Sequence, residues 1–212
     1  MVLISHRFKF IYIKNMKVAG TSIEGYFEKY CMDPNKDHIV EHKLDSSITE
    51  YGIVGNREGG KRTKYFEVMG AQTIKKYIGD DIFNSYFKFC AVRNPYDKMV
   101  SLYHMLKSRY PEQYNISFDD FVRKNDCYNF ARYTLENCKS CIDFYIRFEF
   151  LQEDLEKVCK QLNIEYDLSK LPEFKSDYRK DNDDYKQYYN EELKKIVYDR
   201  HKEEFELFGY KF

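Results

Sequence analysis

FIYIKNMKVAGTSIEGYF, residues 10–27, is the stretch whose reading decides the fold. With the preceding Phe8, the side chains Phe10, Ile11, Tyr12 and Ile13 make an apolar, β-rich run that reads as a buried first strand over residues 8–14. A polar turn carrying Lys17, Gly20, Thr21 and Ser22 follows. A helix is then expected over Thr21 to Cys31, with Ile23, Phe27 and Tyr30 on one face. Thr21 or Ser22 is expected to cap it, leaving Lys17 in the loop above. These are anion-binding residue types at a helix start. The helix N-terminus offers unpaired N–H groups and a partial positive charge, glycine permits close backbone approach, and hydroxyls and an ammonium add donors.

FKFCAVRNPYDKMVSLYHM, residues 87–105, repeats the plan. Phe87, Phe89, Cys90, Ala91 and Val92 read as a second strand. Arg93, a turn at Asn94 and Pro95, and Asp97 as a helix cap come next. Ser101 falls about two turns into that helix. Two such anion sites in one α/β domain suit a ligand with two anionic groups, such as a nucleotide substituted at both its 5′ and 3′ positions.

These residues carry a resemblance. The chain resembles the sulfotransferases that use 3′-phosphoadenosine 5′-phosphosulfate (PAPS), and in particular the branch with the carbohydrate O-sulfotransferases. In that family a K-x-x-G-T-S turn after a strand holds the 5′-phosphosulfate, and Lys17-Val18-Ala19-Gly20-Thr21-Ser22 is similar to it. A later R-[ND]-P-[YFW]-[DE]-[RK]-x-[VL]-S-x-Y segment holds the 3′-phosphate, and Arg93 through Tyr103 matches without a gap. Further likeness runs through Tyr145-Ile146-Arg147-Phe148-Glu149, the following helix, and Tyr188-Tyr189 through the closing Phe205 to Tyr210. It is poorest over residues 31–66.

The resemblance implies an α/β, P-loop-like three-layer fold with a central parallel sheet flanked by helices, in a single domain over residues 1–212. It implies transfer of a sulfuryl group from PAPS to a hydroxyl, 3′-phosphoadenosine 5′-phosphate as product, no metal, and a glycan as acceptor. Lys17 matches the catalytic lysine, whose ammonium would stabilise charge developing on the bridging oxygen. Val18, Ala19, Gly20, Thr21 and Ser22 would hold the 5′-phosphate. Arg93 and Ser101 would clamp the 3′-phosphate, since a guanidinium fork suits paired oxygens; the alternative for Arg93 is an ion pair with Asp97. Arg147 and Arg179 are secondary cations, each either a ligand contact or a structural ion pair. Lys14 is the substitute for Lys17.

The general base is where the sequence departs from the family. Relatives carry a His in an H-x-x-A context before the helix preceding the second motif. That context here is Val68-Met69-Gly70-Ala71. His42, then Glu67, then His38 are the candidates, with Glu41 nearby. Imidazole has the right intrinsic pKa, and carboxylates serve in other sulfotransferase branches. His104 either packs or contacts nucleotide. A family member that keeps nucleotide or glycan binding without catalysis is the second reading. A P-loop NTPase is excluded, because G-x-x-x-x-G-K-[ST] does not occur and Lys precedes Gly here.

Composition sets the outer bounds. The 212 residues carry 35 basic and 35 acidic side chains, so the total charge favours neither nucleic acid nor an anionic membrane. Lys61, Arg62 and Lys64 form a local basic cluster, either a solvated loop or a patch for an acidic polysaccharide. No stretch has the apolar length of a membrane span or the pattern of a leader, so a cytoplasmic protein is the simplest expectation. Oligomeric state is not legible. Of six cysteines, Cys90 and Cys159 sit in apolar patterns, and Cys138-Lys-Ser-Cys141 lacks the second half of a zinc site.

Along the chain, residues 31–71 read as an irregular substrate-binding insertion with only short elements. Helices are expected over Ala71–Tyr77 with Gly79 ending the first, over 97–109, from Ser117, over 129–137 and over Leu151–Leu162. A strand is expected over 143–148, a polar loop over 175–190, and one final helix over Glu191–Phe205.

Overall fold

The computed structural model describes residues 2–61, 63–136, 139–172 and 184–212. In chain order the elements are β1 (Leu3–Ser5), β2 (Phe10–Ile13), α1 (Gly20–Phe27), β3 (Ser47–Ile48), β4 (Gly52–Val54), α2 (Ala71–Ile78), α3 (Asp80–Ser85) and β5 (Phe87–Val92). They continue with α4 (Pro95–Arg109), α5 (Pro111–Tyr114), α6 (Phe118–Lys124), β6 (Phe144–Arg147), α7 (Leu151–Gln161), α8 (Glu191–Arg200) and α9 (Lys202–Phe208). The chain divides into two compact units. The first holds the described residues of 1–15, 19–92 and 131–174, and the second those of 16–18, 93–130 and 175–212.

The first unit is built on one six-stranded sheet, ordered β3-β4-β1-β2-β5-β6 among the described residues. β2, β5 and β6 run parallel, with Ile13 opposite Cys90 and Val92 opposite Arg147. This is the expected α/β part: β2 and β5 are buried apolar runs, as strands covered on both faces must be. Phe27 of α1 packs on it, its ring 5.7 Å from Phe10 and 5.1 Å from Phe89. The other half is antiparallel and extends the expected sheet. Leu3-Ile4-Ser5 returns on β2 as a hairpin, with Lys9 left-handed in the turn (φ 50°), and β4 then pairs with β1. β3 and β4 come from the stretch expected to be mainly irregular, and β4 is fully buried. Gly52 is required there, because a Cβ would lie 2.2 Å from the Ile4 carbonyl oxygen.

The second unit is helical. Tyr96, Met99, Leu102, Phe121, Val122, Leu193, Val197 and Phe205 form its core. α4 starts earlier than expected. Asn94, not Asp97, is the N-cap; its Oδ1 accepts from the Tyr96 N–H at 3.0 Å, and Pro95 takes the first helical position where no N–H is needed. Ser117 caps α6 as expected. No α-helix forms over the described residues of 129–137, where only a 3-10 turn, Phe130–Arg132, is present. The expected final helix is broken into α8 and α9 at His201, whose buried ring lies between two carboxylates: Nε2 is 2.8 Å from Asp126 and Nδ1 is 2.9 Å from Glu204. Glu204 also pairs with buried Lys98 at 2.6 Å.

Candidate functional site

In the first unit the site is built at the carboxyl end of β2. Lys14, the residue after that strand, is buried, and its Nζ lies 3.0 Å from Glu24 of α1 and 2.9 Å from Glu67. Burial lowers the Lys14 pKa, but the two carboxylates outweigh it and the net shift is upward. Lys14 is thus a charged, committed side chain. Asn15 donates to the Ala91 carbonyl at 2.8 Å, fixing the end of β2 to β5.

The helix start differs from the expectation in its cap. Ala19 is the N-cap in the left-handed region (φ 58°) with no side-chain cap, and Thr21 and Ser22 lie inside α1. Gly20 is the reason. A Cβ there would lie 2.9 Å from the Asn15 carbonyl oxygen, so the chain turns tightly at Ala19 and enters the helix at once. The first helical hydrogen bond runs from the Ile23 N–H to the Ala19 carbonyl at 3.1 Å. The amides of Gly20, Thr21 and Ser22 therefore precede the helix's own ladder.

Glu67 sits in a turn before α2 and not on a strand. Lys14 draws its carboxylate to the end of β2. A second buried group continues from there. Arg57, wholly buried, lies 3.5 Å from Glu24 and pairs with Glu28, and Glu28 also meets His38 Nε2 at 2.8 Å. Among the described residues, Lys14 and Arg57 face the carboxylates of Glu24, Glu28 and Glu67. His42 and Glu41 are exposed in the loop before β3.

In the second unit Lys17 is half-buried with a left-handed backbone (φ 61°). Arg93 donates to the Lys17 carbonyl at 3.4 Å and from Nε to Asp97 at 2.8 Å. The Asp97 ion pair is present, and the helix's first turn is where that carboxylate is also favoured by the dipole. Ser101 is half-buried on α4, and His104 meets the Tyr188 hydroxyl at 2.8 Å.

A profile of the sulfotransferase family matches residues 1–211. The chain belongs to the sulfotransferase family. A protein of Archaeoglobus fulgidus, named only as uncharacterized, is 39% identical over 105 residues, which is 47% of this chain and 87% of its own. No solved structure matches.

In this family member Arg147 forms an ion pair at the end of β6, 2.7 Å from Asp154 of α7, with its guanidinium over the Phe150 ring. Burial would raise the Asp154 pKa, but hydrogen bonds from Arg147 and Lys157 outweigh it and hold it down to about 2. Arg179, Arg62 and Cys138 lie outside the described residues. Cys90 and Cys159 are buried as expected. No helix among the described residues is long and apolar enough to cross a membrane. Sequence reasoning missed Arg57 and Glu24. Arg57 lies in a Gly-rich, charged stretch that gives no sign of burial, and Glu24 lies on a helix whose eight residues are all buried.

Proposed function

We propose that this protein transfers a sulfuryl group from PAPS to a hydroxyl of a carbohydrate. The observation that carries the reading is the turn between β2 and α1. Left-handed backbone at Lys17 and Ala19, tight packing of Gly20 and amides outside the helical ladder together make an anion-binding helix start of the kind the K-x-x-G-T-S motif calls for. This donor set fits a phosphate group.

PAPS, when bound, supplies the sulfuryl group. The backbone of Val18 and Ala19, the amides of Gly20, Thr21 and Ser22, and the Thr21 and Ser22 hydroxyls hold its 5′ end. Lys17 sets its ammonium against the charge that develops on the leaving oxygen. Arg93 and Ser101 hold the 3′-phosphate, and Arg93 shares its guanidinium between Asp97 and that group. Arg147 and Arg179 have at most supporting roles.

Glu67 is favoured over His42 and His38 as the base. Lys14 holds it beside the start of α1, and its side chain is 32% exposed and so open to an acceptor. His42 is exposed, and His38 is committed to Glu28. The absence of the family's His supports a second reading, a member that binds nucleotide or glycan without transfer.

The test is labelled PAPS with a panel of glycans, scoring transferred sulfate and released 3′-phosphoadenosine 5′-phosphate. Lys17→Ala is expected to abolish transfer with a smaller loss of nucleotide affinity, and Arg93→Ala to weaken nucleotide binding first. Glu67→Gln is expected to lower kcat by about 100-fold, within the range of general-base effects. Equal turnover in wild type and Lys17→Ala would sink the mechanism. Nucleotide binding without transfer to any glycan or small alcohol favours the second reading.

A further inference from the structure

We propose that Asn129 is the positioning residue for Lys17, a role that rests on the sulfotransferase reading above. Asn129 is buried to 1% exposure, yet it stands in a stretch without regular structure. Its side-chain amide makes both hydrogen bonds of a strand partner to one residue. Oδ1 accepts from the Met16 N–H at 3.1 Å, and Nδ2 donates to the Met16 carbonyl at 3.0 Å. Cys127 Sγ lies 3.9 Å from the same carbonyl oxygen.

That carbonyl belongs to the peptide unit leading into Lys17. The next peptide unit is held from its other side, where Arg93 donates to the Lys17 carbonyl at 3.4 Å. Both peptide planes that flank the Lys17 Cα are thereby fixed by side chains. They need to be, because a lysine at φ 61° is in the left-handed region, which costs about 1–2 kcal/mol for a residue with a Cβ. The two hydrogen bonds from Asn129 hold the peptide units on both sides of Met16, and with the Arg93 contact they fix the direction in which the Lys17 side chain leaves the chain.

Asn129 is itself anchored. Asp126, three residues earlier, accepts the Cys127 N–H at 2.7 Å and lies 2.8 Å from the buried His201 ring, which is tied through Glu204 to Lys98. The Asn129 amide therefore joins a buried ionic block to the lysine loop. A displacement of about 1 Å at a reacting group can cost about 100-fold in rate.

The experiment compares wild type, Asn129→Ala and Asn129→Asp in three measurements: kcat and KM with PAPS, affinity for 3′-phosphoadenosine 5′-phosphate, and hydrogen exchange of the Met16 amide. Asn129→Ala is expected to lower kcat by about 10- to 100-fold with nucleotide affinity within about threefold of wild type. The Met16 amide should exchange faster, with α4 and the sheet unchanged. Asn129→Asp is nearly isosteric and keeps the acceptor. It should restore Met16 protection while kcat stays about tenfold low, because the donor to the carbonyl is gone. In a Lys17→Arg background, Asn129→Ala should cost much less than in wild type, since residues acting through one group are not additive. Wild-type kcat in Asn129→Asp, an equal loss in the Lys17→Arg background, or unchanged Met16 exchange in Asn129→Ala overturns the proposal. If wild type transfers no sulfate, the functional reading fails, and the Met16 exchange still decides whether the clamp exists.

Discussion

Arg57 concentrates the electrostatic risk of the first unit in one residue. It is a fully buried guanidinium between two fully buried carboxylates, Glu24 and Glu28. Replacing it with alanine would take a buried cation away from Glu24, which keeps Lys14, and from Glu28, which keeps His38, and removing one member of a buried pair typically costs about 3–5 kcal/mol. Arg57→Ala is therefore expected to lower the denaturant midpoint sharply with an unchanged slope, whereas Arg57→Met together with Glu24→Gln and Glu28→Gln should recover much of the loss. A midpoint within experimental error of wild type for Arg57→Ala would mean that the pairing is not sustained in solution. At this scale the sequence was most legible where function is local. Lys17, Gly20, Arg93 and Ser101 stand at fixed spacing within short segments, so the motif could be read directly. Arg57 reaches a partner 29 residues away, and Asn129 one 113 residues away, and no local pattern encodes such distances. His42 outranked Glu67 in the sequence because imidazole has the better intrinsic pKa. What reverses that order in the function proposed above is position, which Lys14 confers on Glu67.

The break between α8 and α9 shows how an element boundary can be set by charge. The run from Glu191 to Phe205 has helical periodicity throughout, which is why one helix was expected, yet His201 closes the first helix and opens the second. Burial alone would lower the His201 pKa, but Asp126 and Glu204 outweigh it and raise it above its ordinary 6.5. A group with a raised folded pKa gives stability that is fully present below its unfolded value and is lost as pH rises through the folded one. Stability of wild type should thus decline as pH rises from about 6.5 upward, and His201→Gln should be less stable at pH 6 and flatter across the same range. Denaturant titrations at several pH values measure this, and parallel profiles for the two proteins would contradict it. The other elements divide in the same way. β5, α7 and the start of α6 were legible from period and capping. The cap of α1 was not, because the close approach of Gly20 to the Asn15 carbonyl depends on a fold already formed.

For the whole molecule the parallel half of the sheet was predictable and the antiparallel half was not. β2, β5 and β6 are apolar runs with a helix pattern after each, whereas β1, β3 and β4 have two or three residues apiece and no room to display a period. Ligand binding acts on the folded chain as a unit. A native-state ligand at 100 times its Kd adds about 2.7 kcal/mol to the unfolding free energy. 3′-Phosphoadenosine 5′-phosphate should accordingly raise the melting temperature of wild type, and raise that of Arg93→Ala less at the same concentration; identical shifts would remove Arg93 from the nucleotide site. The hairpin of β1 and β2 has a further consequence for the chain as it is synthesised. Its outer edges are completed by β4, residues 52–54, and β5, residues 87–92, which leave the ribosome well after it. Until then the apolar Phe10-Ile11-Tyr12-Ile13 strand offers an unpaired edge, the kind of template on which nascent chains associate. β5 thus closes, late in translation, the edge that β2 leaves open, as β4 closes that of β1.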